Sequence, residues 1–342
     1  MKAVCLEDVG RLAVIETEQP TLNGADEVLI RVKQAGICGS EVHAFEGTHP
    51  YRKPPAVMGH EVLGTVAAVG AAVSRFKPGD RVTVDPQWPC GECEWCQQGA
   101  INLCPNKRVL GTPAWPGGFG EYIVVPERSV FAVPEHLSDI QATMIEPLGV
   151  GVHAVNRAGL KPGQSVLILG GGSIGLLTAA MAQVRGAAPI IVADVQQHCL
   201  DTAPLLGATH TVRVGQESIL DRVMAITDGR GVEVIFLTVG KEELFHAAFD
   251  VVRRQGTIVV VALYEAPVTF NPYNIIKKDL HVIGTLMSTE ADVREAIDLV
   301  ASGRVQPQHI VKHQLPMEQA QHGFHLASTK EDGAIKVVLR FD

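Results

Sequence analysis

From Leu160 onward, short apolar runs alternate with segments of helix length. A chain of that pattern buries its apolar faces most simply as a parallel sheet with helices on both sides. Strands are expected near 165–169, 189–194, 209–213, 232–237, 256–262 and 280–285, with helices in the gaps and the last gap mostly loop. Six such strands complete a doubly wound sheet. The first runs into Leu169-Gly170-Gly171-Gly172-Ser173-Ile174-Gly175, where Gly170, Gly172 and Gly175 satisfy G-x-G-x-x-G. Glycine-rich turns also occur for purely structural reasons. This one follows a strand, opens a helix, and is followed 19 residues after Gly175 by Asp194 at the end of the second strand. In that context the amides at the helix start suit a pyrophosphate, and the carboxylate suits ribose hydroxyls. NAD is favoured over NADP, whose 2′-phosphate would meet the charge of Asp194.

Residues 1 to about 150 read differently, as short strands separated by Gly/Pro turns. Val28–Val32 and Arg81–Val84 are β-rich, and Lys77-Pro78-Gly79-Asp80 is a turn. This predicts a mostly β domain whose loops carry the chemistry. Four of the seven cysteines, Cys90, Cys93, Cys96 and Cys104, have the spacing C-x2-C-x2-C-x7-C. Four thiolates so close in sequence can close a tetrahedral shell around one zinc ion, leaving no open position, so that zinc is structural. The competing reading is a set of unrelated thiols. The N-terminus, MKAVCLEDVG, places acidic residues where a signal peptide needs an apolar core. The mature chain is expected to begin near Met1, and a reducing cytoplasm favours metal ligation over disulfides.

A second constellation is Gly59-His60-Glu61, with Cys38 upstream and Glu146 downstream in Ile145-Glu146-Pro147-Leu148. A His-Glu pair alone is more often surface polarity. With a thiolate and a second carboxylate it makes a zinc set with room for a substrate.

At 342 residues the chain fits two domains of roughly 150 residues. A 46% hydrophobic and 19% charged composition describes a folded protein, and a net charge of −8 without a basic run argues against nucleic acid. The longest apolar run, Val166–Ala182, carries four glycines, Ser173 and Thr178, and reads as a buried strand and helix instead of a membrane span. Beyond the sheet, a helix is expected over Glu290–Ser302, a strand over Ile310–His313, a helix over Met317–Ala327 and a final strand over Ala334–Arg340.

The run GHEVLGTVAAVG, residues 59–70, resembles the signature of the zinc-containing medium-chain dehydrogenase/reductase superfamily. GICGSEVH and IEPLGVGVHA resemble its sorbitol, threonine and butanediol dehydrogenase branch. The resemblance spans essentially the whole chain. It implies an α/β protein with a GroES-like, mostly β catalytic domain at 1–152, bearing a structural zinc lobe at about 88–106. A six-stranded Rossmann domain would follow at 153–288, and 289–342 would return to the first domain. The implied activity is interconversion of a secondary alcohol, a polyol, sugar derivative or vicinal diol, with its ketone by hydride transfer to NAD. An alcohol donates hydride poorly until its proton leaves, and zinc lowers that pKa.

Carried over residue by residue, the resemblance makes Cys38 and His60 ligands of a catalytic zinc. The third position is shared between Glu61 and Glu146, one binding directly and one through water, and the sequence leaves the choice open. Ser40 and His43 would pass the alcohol proton through the cofactor ribose to solvent. Glu41, where relatives usually have aspartate, would orient the imidazole. Gly170, Gly172, Ser173, Ile174, Gly175, Asp194, Thr238 and Leu263 would contact NAD, although Cys199 replaces a basic residue that many relatives place near the ribose. Cys5 is most simply a small apolar residue, and His153 a satisfied histidine. Sorbitol dehydrogenases hold the far hydroxyls with an arginine and a tyrosine where this chain has Met287 and Ser288, and place a pocket tyrosine at Ala44. The sequence around Tyr264–Pro267 and Asn271-Pro272 is instead similar to the butanediol-type relatives. Oxidation of a secondary alcohol flanked by a second hydroxyl is therefore expected, with the far end of the substrate held by other groups and sorbitol poor. Alternatives are a threonine- or 2,3-butanediol-type enzyme, or a non-catalytic nucleotide-binding relative, against which the intact ligand set argues. A homotetramer or homodimer is expected, built partly through His281–Leu286, with no membrane partner.

Overall fold

The computed structural model describes residues 1–341. The chain divides into two compact units. The first contains Met1–Glu146, Thr289–Ala301 and the C-terminal stretch from Val311; the second contains Pro147–Ser288 and Ser302–Ile310.

The first unit is built on a seven-stranded sheet. Its order is Val130–Ala132, Arg81–Val84, Glu61–Val69, Glu27–Gly36, Lys336–Arg340 and Val311–Pro316, with Tyr122–Pro126 also pairing to Glu27–Gly36. A smaller sheet joins Arg11–Glu16, Lys2–Asp8 and Ala56–Val57. Val4, Leu6, Ile30, Val62, Phe119, Phe324 and Leu339 share one buried apolar cluster between these elements. Glu27–Gly36 alternates buried and exposed residues along Ile30–Lys33, then runs buried from Gln34 to Gly36, as a strand does when it passes from a half-solvated to a fully covered part of a sheet. The final strand, drawn from the far end of the chain, lies antiparallel beside it with Gly36 opposite Val338.

Two differences from the expectation matter for the site. The segment after Cys38 is a short helix, Gly39–Phe45, rather than a loop, and Glu61 opens a strand, Glu61–Val69, rather than lying in one. The helix is only seven residues long, too short to show a 3.6-residue period. Its start is set by a capping box in which the Glu41 side chain accepts from the Cys38 amide.

The second unit holds six parallel strands: His210–Arg213, Ile190–Asp194, Val166–Leu169, Val232–Leu237, Val252–Val260 and His281–Gly284, in that spatial order. All four residues of Val166–Leu169 are buried, as expected of a central parallel strand covered on both faces. The order reverses between Val166–Leu169 and Val232–Leu237, at whose carboxyl ends a doubly wound sheet offers its ligand crevice. The fifth strand begins earlier than expected, at Val252, because its pairing with Val232–Leu237 shifts register between Val232 and Val234. His281–Gly284 is the edge strand and is largely exposed.

The turn after the first strand depends on Gly175. A Cβ there would stand 1.8 Å from the Gly170 carbonyl oxygen, so helix and turn can approach only without a side chain. Gly175→Ala should therefore lower the stability of the protein by about 1–3 kcal/mol and weaken dinucleotide binding. Thermal unfolding and NAD titration measure both; an unchanged NAD affinity would show that this close approach is not needed.

Candidate metal and cofactor sites

The first site is assembled by one carboxylate. Glu41, on the helix that Cys38 caps, is fully buried. Its Oε2 accepts from the Cys38 amide at 2.9 Å, while Oε1 accepts from the Gly59 amide at 2.8 Å and lies 2.7 Å from His60 Nδ1. The helix start and the strand entrance are thereby tied together, and the imidazole is turned so that Nδ1 faces Glu41. Donor atoms of Cys38, His60 and Glu61 all lie within 4.8 Å of one another. Their electrostatics are those of a site that wants a cation. Burial opposes charge on all three of Cys38, Glu41 and His60. Nevertheless the imidazole beside them lowers the thiol of Cys38 and the carboxyl of Glu41, and Glu41 and Cys38 hold the imidazole proton well above its usual range. A thiolate, an imidazole nitrogen and carboxylate oxygens form a donor set that suits zinc, with that proton the charge a metal would replace.

The two carboxylates of this site are not equivalent. Lys336 Nζ lies 2.6 Å and 2.8 Å from the two oxygens of Glu61 and also donates to the Ile37 carbonyl at 3.0 Å. Both partners are buried, at 3% and 1% side-chain exposure. Burial alone would strip the ammonium of its proton; Glu61 reverses this and raises the Lys336 pKa. The pair spans Gly36, whose strand lies between theirs. A Cβ on Gly36 would stand 1.9 Å from Glu61 Oε2, so glycine is what lets the carboxyl cross to the lysine. Glu146, the second residue of the helix Ile145–Ala158, is also buried, but it accepts no hydrogen bond from the described residues. Burial pushes its carboxyl up to about 8, with Glu61 and Cys38 adding to the rise and His60 opposing it.

Ser40 is half-buried, and its Oγ accepts from Arg52 Nη1 at 2.6 Å. His43, three residues along the helix, has Nδ1 3.3 Å from Thr48 Oγ1. Ala44 is buried in the core of the first unit. Lys336 and Arg52 escaped the sequence reading. Lys336 had a visible signal, a lone charge in the apolar run Ala334–Leu339; Arg52 lies in a polar loop and had none.

The second site is the cysteine lobe. Sγ separations are 3.4 Å for Cys93 and Cys96, 3.5 Å for Cys90 and Cys104, and 3.8 Å for Cys90 and Cys96. Four sulfurs about 2.3 Å from one tetrahedral ion stand about 3.8 Å apart, so this set fits zinc with little adjustment. Amides of Glu92 and Cys93 lower the Cys90 thiol to about 6, whereas burial and neighbouring thiols push Cys96 up to about 12. The first proton leaves easily and the last does not, until a dication takes its place.

In the second unit, Gly172 caps the helix Ser173–Val184, so the amides after it point out of the turn. Asp194 closes its strand with Oδ2 accepting from the Gly171 amide at 2.5 Å and Oδ1 from the Gln196 amide at 2.6 Å. The carboxylate is thus fixed beside the glycine turn. The Thr238 hydroxyl donates to the Leu169 and Gly170 carbonyls, supporting the turn from behind. Ile174 lies in the first turn of the helix, and Leu263 is exposed. Cys199 and His153 are buried. Met287 has φ +54°, a strained backbone for a non-glycine residue, and Ser288 beside it is buried.

Comparison with known proteins agrees with these features. Residues 24–135 match the alcohol dehydrogenase GroES-like domain, and residues 173–302 match the zinc-binding dehydrogenase family. The chain is 36% identical to a sorbitol dehydrogenase of Bacillus subtilis over 99% of its own length and 97% of the relative's. Among solved structures, it is similar to the alcohol dehydrogenase TADH from Thermus sp. ATN1, with a TM-score of 0.92 and 34% identity over 99% of both chains. It is also similar to a 2R,3R-butanediol dehydrogenase of Bacillus subtilis, with a TM-score of 0.90 and 28% identity over 100% of this chain and 99% of the other.

Because Glu61 and Lys336 are buried together, removing one leaves the other uncompensated. Lys336→Met should destabilise the protein by about 3–5 kcal/mol, and the double variant Lys336→Met/Glu61→Leu should recover most of that. Chemical denaturation of wild type and variants measures the cycle. Additive losses would show that the pair is not coupled.

Proposed function

The chain belongs to the zinc-dependent medium-chain alcohol dehydrogenases, in their sorbitol dehydrogenase-like branch, and from that premise we propose that it oxidises a secondary alcohol flanked by a second hydroxyl, with NAD as acceptor. As a member of this family it is an oxidoreductase that uses zinc and a nicotinamide dinucleotide. The observation that carries the finer reading is the unequal state of the two carboxylates. Lys336 holds both oxygens of Glu61, the carboxylate grouped with Cys38 and His60, so Glu146, whose buried carboxyl feels the charges of His60 and Cys38, is the acid left to complete a catalytic zinc set with them. Zinc held there supplies the positive charge that favours loss of the alcohol proton. A second zinc belongs to Cys90, Cys93, Cys96 and Cys104, giving two per chain, the latter structural.

The residues of the chain do the rest. Glu41 keeps the His60 ring in the orientation that leaves its other nitrogen toward Cys38. Ser40, half-buried beside the ligand set, takes the alcohol proton as it leaves, and His43 on the same helix passes it on. NAD, the hydride acceptor when bound, would be held by the amides around Gly170, Gly172, Ser173, Ile174 and Gly175, with Asp194 placed to accept from its ribose hydroxyls and Thr238 and Leu263 beside it. A protein that only sensed a nucleotide would need neither the ligand set nor Ser40.

Substrate choice rests on what is missing. Met287 and Ser288 offer no arginine fork or phenol to a long polyol, and each hydroxyl left without a partner costs on the order of 1–3 kcal/mol. Among the described residues no helix is long and apolar enough to cross a membrane. Seven free thiols suit a reducing compartment, and we place the enzyme in the cytoplasm as a homodimer or homotetramer assembled through the exposed edge strand His281–Gly284.

The test is kcat/KM for sorbitol, 2,3-butanediol, threonine, polyols and sugar acids with NAD and NADP. The expected result is NAD-linked oxidation, about tenfold or more better than with NADP, that narrows in Asp194→Ala, with sorbitol not the best substrate. A preference for NADP would refute the role of Asp194, sorbitol as best substrate would refute the role given to Met287 and Ser288, and no turnover by zinc-loaded protein would favour the sensor.

A further inference from the structure

On the reading that Ser40 faces the substrate oxygen, the geometry points to Arg52 as a positioning residue that fixes the Ser40 hydroxyl with its remaining lone pair toward that oxygen and its hydrogen toward the exposed side, and closes the inward route for the proton. Arg52 is 3% exposed and hydrogen-bonds no carboxylate among the described residues, although its charge reaches the buried Glu41 and lowers that carboxyl. Its Nη1 donates to Ser40 Oγ at 2.6 Å and its Nη2 to the Leu110 carbonyl at 3.2 Å. Nη2 also stands 3.5 Å from His60 Nδ1, but that nitrogen is turned to Glu41 and offers Arg52 nothing to bind. Nε is buried without an acceptor. A guanidinium buried with one N–H unmet and no carboxylate hydrogen-bonded to it is a costly arrangement. The contact it secures is the short, charge-assisted bond to Ser40.

The loop that presents it is anchored. His49 Nδ1 accepts from the Arg52 amide at 3.0 Å and from the Tyr51 amide at 3.4 Å, which needs a neutral ring. Burial, and then the charge of Arg52, lower His49 to about 4.

A serine oxygen has one hydrogen and two lone pairs. Arg52 fills one lone pair, so the Ser40 hydrogen must point elsewhere, and the cation makes that hydrogen a stronger donor. Arginine has no acceptor and keeps its proton, so nothing can be relayed through it. In oxidation the hydride leaves the substrate carbon for NAD, and the hydroxyl proton passes to Ser40 Oγ while the Ser40 hydrogen moves on by the exposed side, where His43 lies. Arg52 ends the reaction with the protons it began with.

The test is a double-mutant cycle in the zinc-loaded enzyme with its best alcohol, alongside calorimetric binding of trifluoroethanol, an alcohol that is not turned over, to the enzyme–NAD complex. Arg52→Met should lower kcat about ten- to hundredfold with KM moved less than about threefold, and should weaken trifluoroethanol binding. Ser40→Ala should do the same, and Ser40→Ala/Arg52→Met should be no worse than Ser40→Ala alone. Arg52→Lys, which keeps a charged donor, should recover most of the rate. Should Arg52→Met fail to fold by thermal unfolding, Arg52→Gln takes its place in the cycle. Losses that multiply, or a wild-type Arg52→Met, overturn the inference while leaving the assignment of the site standing. A wild-type Ser40→Ala overturns both.

Discussion

The buried carboxylate of Glu41 is the contact on which the first site depends. It binds the amide that starts one helix, the amide that precedes one strand, and the imidazole between them. Cys38 and His60 are 22 positions apart in sequence; the antiparallel pairing of Gly36 with Glu61 brings their segments side by side, but that register does not by itself orient the imidazole toward the thiol. The side chain of Glu41 does so, and it can because every one of its contacts is an N–H, which compensates the cost of burying its charge. The longer reach of glutamate, in place of the aspartate common in the family, still closes all three contacts.

The proposed choice of Glu146 over Glu61 rests on sheet order. The chain's last strand lies beside Glu27–Gly36, and Glu61 lies on that strand's other side. Gly36, lacking a side chain, is the gap through which Glu61 and Lys336 meet. An acid held by an ammonium on both oxygens is a poor ligand for a second cation, whereas an acid buried without a donor has every reason to take one. The state of the Glu61 carboxylate thus depends on a residue 275 positions away in sequence.

Much of this was legible in the sequence. The glycine turn with Asp194 fixed the nature of the second unit because strand, turn, helix and carboxylate must appear in that order, and the structure ties Asp194 to the turn itself. The cysteine lobe was legible because its ligands lie within 15 residues and spacing alone limits their geometry. The ranking of Glu61 and Glu146 was not, since it depends on a lysine brought in by long-range strand pairing. Arg52 was hidden for a similar reason: a loop arginine is ordinarily a solvated one, and only the fold turns it inward onto Ser40. The helix Gly39–Phe45 was missed because its start is encoded by one capping side chain instead of a periodic face.

Lys336 is proposed to withhold Glu61 and leave Glu146 to complete the catalytic zinc site. A crystal structure of the zinc-loaded protein tests it most directly, through the distances from the ion to the two carboxylates. A Glu146 oxygen is expected at about 2.0–2.2 Å from zinc, together with Cys38 and His60, with Glu61 still paired to Lys336. Zinc bound by Glu61, with Lys336 released and Glu146 outside the coordination shell, would contradict it.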